Sequence, residues 1–94
     1  MRIQWTKGAE QNLKQVEDYI AQDNSQAAIT TVLKIIKSVE VLADHPAMGR
    51  VGRIFDTREL IIANTPYIVP YRVKEECIQV LRVLHSAMQW PGCL

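Results

Sequence analysis

The sequence predicts an α+β fold, in which an N-terminal strand precedes an antiparallel helical hairpin packed on a small antiparallel β-sheet. Two observations support this prediction. Up to residue 44, apolar residues recur every three or four positions, which is typical of amphipathic helices. From residue 57 onward, β-branched and aromatic stretches alternate with turn residues, which is typical of a strand meander. The 94 residues have room for one domain, so residues 1–94 are predicted to form a single unit.

A short strand and a first helix are predicted at the N-terminus. Residues 1–5 alternate polar and apolar side chains, which favours a strand. Thr6 follows and is suited to cap the helix. The apolar positions of that helix are Ala9, Leu13, Val16 and Ile20. They lie on one side of an otherwise polar segment, so this helix is predicted to be amphipathic.

A second helix is predicted over residues 26–44. Asp23, Asn24 and Ser25 separate it from the first helix and cap it, and Pro46 is expected to end it. Its expected buried face consists of Ile29, Val32, Ile36, Val39 and Ala43, widened by Leu33 and Leu42. The connection is short, so the two helices should form an antiparallel hairpin.

Three strands are predicted after a loop over residues 45–52. They cover residues 57–62, 67–73 and 77–85. Pro70 has no backbone N–H to donate, so it should mark an edge position or a bulge.

The side-chain pattern of these strands predicts an uncovered apolar face. Tyr67, Val69, Tyr71 and Val73 share one side of the second strand, and the two tyrosines are expected in the core. The other face also carries apolar residues beside an arginine, and one helical hairpin covers only one face. An exposed apolar patch with a polar rim usually binds a partner. The alternative is that residues 86–94 or the loop cover it.

Composition excludes several classes of protein. The chain is 48% hydrophobic and 22% charged, which is a globular balance. Its net charge of +1 gives no overall field for nucleic acid. No apolar run is long enough for a membrane span, and no signal peptide is recognisable. Cys77 and Cys93 are too few for a disulfide scaffold, so a cytoplasmic protein with reduced thiols is expected.

The arginines point to the second half of the chain as the place of a site. All of them except Arg2 lie beyond residue 48, and a guanidinium group suits carboxylates and phosphates. The segment from Gly49 to Arg53 could hold an anion with its backbone amides and two guanidinium groups. A turn with solvated arginines is the alternative.

No metal or cofactor site is predicted. His45, His85, Cys77 and Cys93 lack the spacing of a zinc site, and no phosphate-binding loop motif is present. Metal-free RNA cleavage needs a base, a cation for the phosphate and an acid for the leaving oxygen. His85 or Glu59 could supply the base, and Arg58 is among the available cations.

Five segments in order resemble the RelE/ParE superfamily of type II toxin–antitoxin toxins, and most closely its ParE branch. They are His-Pro-x-x-Gly-Arg-x-Gly-Arg at 45–53, Thr-Arg-Glu-Leu at 57–60, Pro-Tyr-Ile-Val-x-Tyr-Arg-Val at 66–73, Val-Leu-His at 83–85 and Trp-Pro at 90–91. With the helical hairpin, the resemblance covers nearly the whole chain. It implies a helical hairpin against an antiparallel sheet that includes the N-terminal strand.

The resemblance also implies a partner. Toxins of this superfamily are neutralised by a cognate antitoxin, whose C-terminal segment orders across the toxin and whose N-terminal part binds operator DNA. We therefore expect a hetero-oligomer with the antitoxin, a role in plasmid stabilisation, and no specific DNA binding by the toxin itself. The residues expected to contact the antitoxin are Ile68, Arg72, Leu81 and Val83.

The choice of target depends on cationic positions. RelE-like toxins cleave mRNA in the ribosome, whereas ParE-like toxins inhibit DNA gyrase and have no accepted hydrolytic site. Ser86, Ile68 and Leu60 stand where RelE-like chains carry cations, and only Arg58 keeps its charge. This favours gyrase inhibition by binding, with no catalytic residue. The residues expected to contribute to target binding are Arg50, Arg53, Arg58, Arg82, His85 and Trp90.

Two alternatives stay open. The chain could be a ribosome-dependent mRNA endonuclease that uses His85, Arg58 and Glu59. It could also be a non-toxic family member that only binds its antitoxin.

Overall fold

The computed structural model describes all 94 residues as two helices on a six-stranded sheet. The elements in chain order are β1 (Arg2–Trp5), α1 (Lys7–Ala21), α2 (Ser25–Val41), β2 (Arg50–Val51), β3 (Arg58–Ile61), β4 (Tyr67–Lys74), β5 (Cys77–Val80) and β6 (Leu84–His85). The strands lie in the order β1-β5-β4-β3-β2, and β6 pairs with β4. This confirms the predicted fold class. Neither helix has the length and apolar character that crossing a membrane would require.

Both helices begin at the predicted caps. The Ala9 amide donates to the Thr6 hydroxyl at 3.2 Å, and the Ala27 amide donates to the Asn24 side-chain oxygen at 3.0 Å. The end of α2 was predicted three residues too late. The amides of residues 42, 43 and 44 each donate to the carbonyl three residues back, so the chain tightens beyond Val41 well before Pro46.

The buried side of α2 differs from the prediction. Ala28, Ile35 and Val39 are buried, as is Leu42 just beyond the helix, whereas Ile29 and Leu33 are about half exposed. Apolar residues occur almost all round this helix, so their spacing alone does not fix which side faces the sheet. Packing against the sheet selects the side that contains Ile35. The buried side of α1 is as predicted, since Ala9 and Val16 lie in the core.

The core lies between the helices and one face of the sheet. Tyr67, Val69 and Tyr71 of β4 point into it, as the alternation of residues predicted. The sheet is not wholly antiparallel, because β1 pairs with β5 in parallel, with Arg2 opposite Cys77 and Trp5 opposite Val80. Parallel neighbours need a long crossover connection, and the hairpin together with β2, β3 and β4 supplies it.

The predicted third strand is interrupted by a β-bulge opposite Pro70. β5 pairs with β4 as far as Val80 opposite Tyr71, and pairing resumes with Leu84 opposite Ile68. Three residues of one strand therefore face two of the other. The Leu81 amide donates to the Pro70 carbonyl at 2.9 Å. Of the two expectations for Pro70, an edge position or a bulge, the structure shows the bulge.

The bulge reverses which residues face the helices. Val83 belongs to the core cluster, and its amide donates to the Asn12 side chain at 3.1 Å. Ile68 and Leu81 are also buried. The prediction of an open apolar face is therefore wrong. The bulge turns Val83 toward the helices. The helices cannot account for the burial of Ile68, because they lie on the other face. Residues 45–57 and the C-terminal residues 86–94 are the segments left to cover that face.

Candidate functional site

Glu59 is a buried carboxylate held between two arginines. Arg50 donates from Nε and Nη2 to its Oε1 at 3.1 and 2.9 Å. Arg53 donates to Oε2 from its backbone amide at 2.8 Å and from Nε at 3.2 Å. The side chain of Glu59 is 3% exposed, whereas both arginines are about half exposed. We call this the Glu59 clamp.

The clamp explains the glycine- and arginine-rich segment that suggested an anion site. Burial acts to raise the pKa of Glu59, but the Arg53 amide and the guanidinium groups of Arg50 and Arg53 outweigh it and lower the pKa. The carboxylate is therefore ionised at neutral pH. The anion that this loop binds is a side chain of its own hairpin, since Glu59 lies directly opposite Arg50 in the β2–β3 pair.

Arg53 also contacts the C-terminal segment. Its guanidinium lies over the Trp90 ring, 3.6 Å from the ring centroid, in a cation–π contact. The indole Nε1 of Trp90 is buried and has no hydrogen-bond partner. Arg53 therefore joins Glu59 on the sheet to residues 86–94, so the C-terminal segment folds back beside the face that was predicted to be open.

Arg58 and Tyr71 fix the loop before β2. The Tyr71 hydroxyl accepts from the Gly49 amide at 2.9 Å and donates to the Pro46 carbonyl at 2.7 Å. Arg58 donates from Nη1 to the Gly49 carbonyl at 2.8 Å. Burial raises the pKa of Tyr71, and the Gly49 amide and the charge of Arg58 offset part of that rise. Tyr71 is thus a structural residue of the core.

His85 packs against Tyr67 at the other end of β4. The two rings meet edge to face, with centroids 5.6 Å apart. The His85 Nδ1 accepts from the Ala87 amide at 3.0 Å, so it holds the start of the C-terminal segment. Burial raises the pKa of Tyr67, which suits its place in the core.

The structure does not bring the three candidate ribonuclease residues together. Arg58 lies opposite Tyr71 and His85 lies opposite Tyr67, four residues apart along β4, which is about 13 Å at 3.3 Å per residue. Glu59 follows Arg58 directly on the strand, so it points to the opposite face.

Arg72 and Arg82 make no hydrogen bond to Glu59 and are not part of the clamp. Arg72 donates from Nε to the Gln79 side chain at 2.8 Å across the β4–β5 pair. Arg82 lies within the bulge, and its guanidinium lies against Gly8 in the first turn of α1. A Cβ atom at position 8 would overlap that guanidinium, so only glycine permits this close approach.

Sequence reasoning missed the tip of the β2–β3 hairpin. Phe55 is 96% exposed and Val51 is 80% exposed, and neither was singled out. Hydrophobic residues between two predicted segments were available as a signal. This signal was not used because β2, which has only two residues, lies within the predicted loop over residues 45–52.

Comparison with known proteins decides the family. The model of the ParE toxin of the type II toxin–antitoxin system parDE matches residues 3–90. The chain belongs to the ParE toxin family. It is 44% identical over 93 residues to the protein Y4kP of Sinorhizobium fredii, covering 99% of this chain and 96% of that protein. It is 30% identical over 86 residues to toxin RelE2 of Caulobacter vibrioides, covering 92% and 96% of the two chains.

A solved structure supports the same family. A chain of the chromosomal ParDE toxin–antitoxin system from P. aeruginosa superposes with a TM-score of 0.82 at 28% identity, covering 90% of this chain and 95% of that chain. This ParE family member is therefore a type II toxin of the RelE/ParE superfamily. The family and the ParDE neighbour also support an antitoxin as its partner.

Proposed function

We propose that this ParE family toxin acts in the cytoplasm by binding and inhibiting DNA gyrase, and that a cognate antitoxin encoded beside it neutralises it in a hetero-oligomer. The observation that carries the proposal is the dispersal of the three candidate ribonuclease residues described above. Because the candidates do not form an assembled acid–base pair, inhibition by contact with the target is the function that this geometry supports best.

The chemistry of each candidate supports the same conclusion. Both oxygens of Glu59 accept hydrogen bonds from arginine donors, and its lowered pKa makes it a poor general base. The Nη1 of Arg58 is held by the Gly49 carbonyl. His85 uses its Nδ1 to bind the Ala87 amide. Each group therefore has a structural partner within the chain.

The proposed contact residues differ in accessibility. Of the four residues proposed to contact the antitoxin, Arg72 is partly exposed, whereas Ile68, Leu81 and Val83 are buried. Of these four residues, Arg72 is therefore the one whose side chain is accessible to an antitoxin segment. The residues proposed to contribute to target binding include Arg50 and Arg53, whose guanidinium groups are half exposed beside the clamp.

The test is a gyrase supercoiling assay with the purified chain. We expect loss of supercoiling or trapped cleaved DNA, and we expect His85→Ala to keep at least part of this inhibition because no proton transfer is required. A translation reaction run in parallel should show no codon-dependent cleavage of mRNA.

One observation favours a second candidate function. The relative from Caulobacter vibrioides is named RelE2, and RelE-like activity would be mRNA cleavage in the ribosome. Codon-dependent cuts that disappear in His85→Ala would establish this activity and refute gyrase inhibition by contact. Tight antitoxin binding with no effect in either assay would identify a non-toxic family member.

A further inference from the structure

The tip of the β2–β3 hairpin presents apolar side chains to solvent. Phe55 is 96% exposed and Val51 is 80% exposed, although both belong to one short hairpin. A single exposed apolar residue is ordinary. Two of them on one protruding element contribute nothing to the core, so their burial against another molecule would be favourable.

The tip is held rigidly in place. The Gly52 amide donates to the Thr57 carbonyl at 2.8 Å, and the Thr57 hydroxyl donates to the Ile54 carbonyl at 2.6 Å. A Cβ atom at position 52 would come within 2.3 Å of the Thr57 hydroxyl oxygen, so the turn needs glycine there. The Arg53 amide is tied to Glu59. The backbone on both sides of Phe55 is therefore held in place, so little backbone conformational entropy is lost on binding.

Arginines surround the tip. An open cleft of about 610 Å³ lies between residues 51–58 and the end of β4, and its charged lining is Arg53, Arg58, Arg72 and Asp56. Each arginine is positioned by an internal hydrogen bond. Arg53 and Arg72 bind another side chain through Nε, so both Nη atoms of each remain available to another molecule. A positioned guanidinium suits a carboxylate on another molecule.

The combination is that of a protein-binding surface. Aromatic side chains, including phenylalanine, and arginine are enriched at protein interfaces relative to the rest of the surface. Nucleic acid is disfavoured, because three arginines around a protruding phenylalanine on a chain of net charge +1 give no extended basic surface to follow a phosphate backbone.

We propose that Phe55 is the anchor by which this toxin binds its target protein, inserting into an apolar pocket that is edged by carboxylates. Arg53, Arg58 and Arg72 pair with those carboxylates and orient the tip. The identification of that target as gyrase rests on the function proposed above. The surface itself rests on the exposure, rigidity and charge of the hairpin.

The test compares Phe55→Ser with Tyr19→Ser. Tyr19 is an exposed aromatic residue on α1, at 71%, and so provides a matched control away from the hairpin. In the supercoiling assay we expect Phe55→Ser to raise the concentration for half inhibition about 10- to 100-fold, as for loss of an interface anchor, and Tyr19→Ser to change it less than about twofold. Circular dichroism melting of both variants checks that they fold.

Growth arrest on induced expression separates the two proposals. If the wild-type chain arrests growth without affecting gyrase, and Phe55→Ser abolishes the arrest, the proposed target is wrong and the proposed surface stands. If folded Phe55→Ser keeps full potency in both assays, the surface is wrong. It is also wrong if Phe55→Ser weakens antitoxin binding without reducing toxicity, or if the chain binds a DNA duplex alone through Phe55.

Discussion

Replacement of Glu59 by glutamine tests the clamp that joins the hairpin to the C-terminal segment. The carboxylate accepts four hydrogen bonds from Arg50 and Arg53, at 2.8 to 3.2 Å. An amide retains one acceptor oxygen and turns its NH₂ group toward donors, so about half of these bonds and the charge attraction are lost. Hydrogen bonds to charged groups contribute about 1.5–3 kcal/mol each. The guanidinium groups are half exposed and water replaces part of the loss, so we expect Glu59→Gln to lower the free energy of unfolding by about 2–3 kcal/mol.

The pH dependence of this difference identifies its electrostatic part. The pKa of Glu59 is lowered in the folded chain, so its stabilising effect is fully present above its unfolded value of 4.5. The effect disappears as the pH falls through the lower folded value. We therefore expect the difference between wild type and Glu59→Gln to be fully present at pH 7 and to become smaller as the pH falls below 4.5.

Urea unfolding followed by circular dichroism measures both quantities. Glu40→Gln, at an exposed position of α2, is the control and should change stability by less than about 0.5 kcal/mol. A difference between wild type and Glu59→Gln that stays constant from pH 7 to pH 3 would refute the role of the charge. A difference below about 0.5 kcal/mol at pH 7 would refute the clamp.

Three further predictions address the core, the loop and the hairpin tip. Ile35→Ala should cost about 2–5 kcal/mol of unfolding free energy and Ile29→Ala less than about 1 kcal/mol, and equal losses in urea titrations would contradict the observed side of α2. Tyr71→Phe leaves the buried Gly49 amide without its acceptor and should cost about 1–3 kcal/mol; a melting temperature unchanged from wild type would contradict this. Gly52→Ala should lower the melting temperature, whereas Gly92→Ala, with no atom within 4 Å of the new Cβ, should not.

Helix starts and the strand meander could be predicted because their signals are local. Thr6 and Asn24 cap helices through atoms three residues away, and β4 shows its alternation within eight residues. The buried side of α2 could not be predicted in this way. Its apolar residues surround the helix, and only the position of the sheet selects Ile35 over Ile29.

The bulge explains one error in the sequence interpretation. Alternation assigns residues to faces only while a strand stays regular, and one extra residue reverses every assignment after it. Pro70 signalled that pairing changes nearby, but it could not show which residue of the opposite strand is extra. Val83 was therefore expected among the residues that contact the antitoxin, although it faces the helices. The predicted opening was wrong for a separate reason: Ile68 and Leu84 are buried on the face away from the helices, which leaves residues 45–57 and 86–94 to cover it.

The sequence predicted that arginines bind an anion, but it did not predict which anion they bind. Arginines in the second half of the chain do gather around an anion, yet that anion is Glu59, which was considered as a base. Recognition of β2 would have placed Arg50 opposite Glu59, because the residue numbers of paired residues in an antiparallel hairpin have a constant sum once the turn is fixed. The same step would have placed Phe55 at the tip. A two-residue strand is too short to show alternation in the sequence. The clamp and the exposed Phe55 could therefore be identified only from the structure.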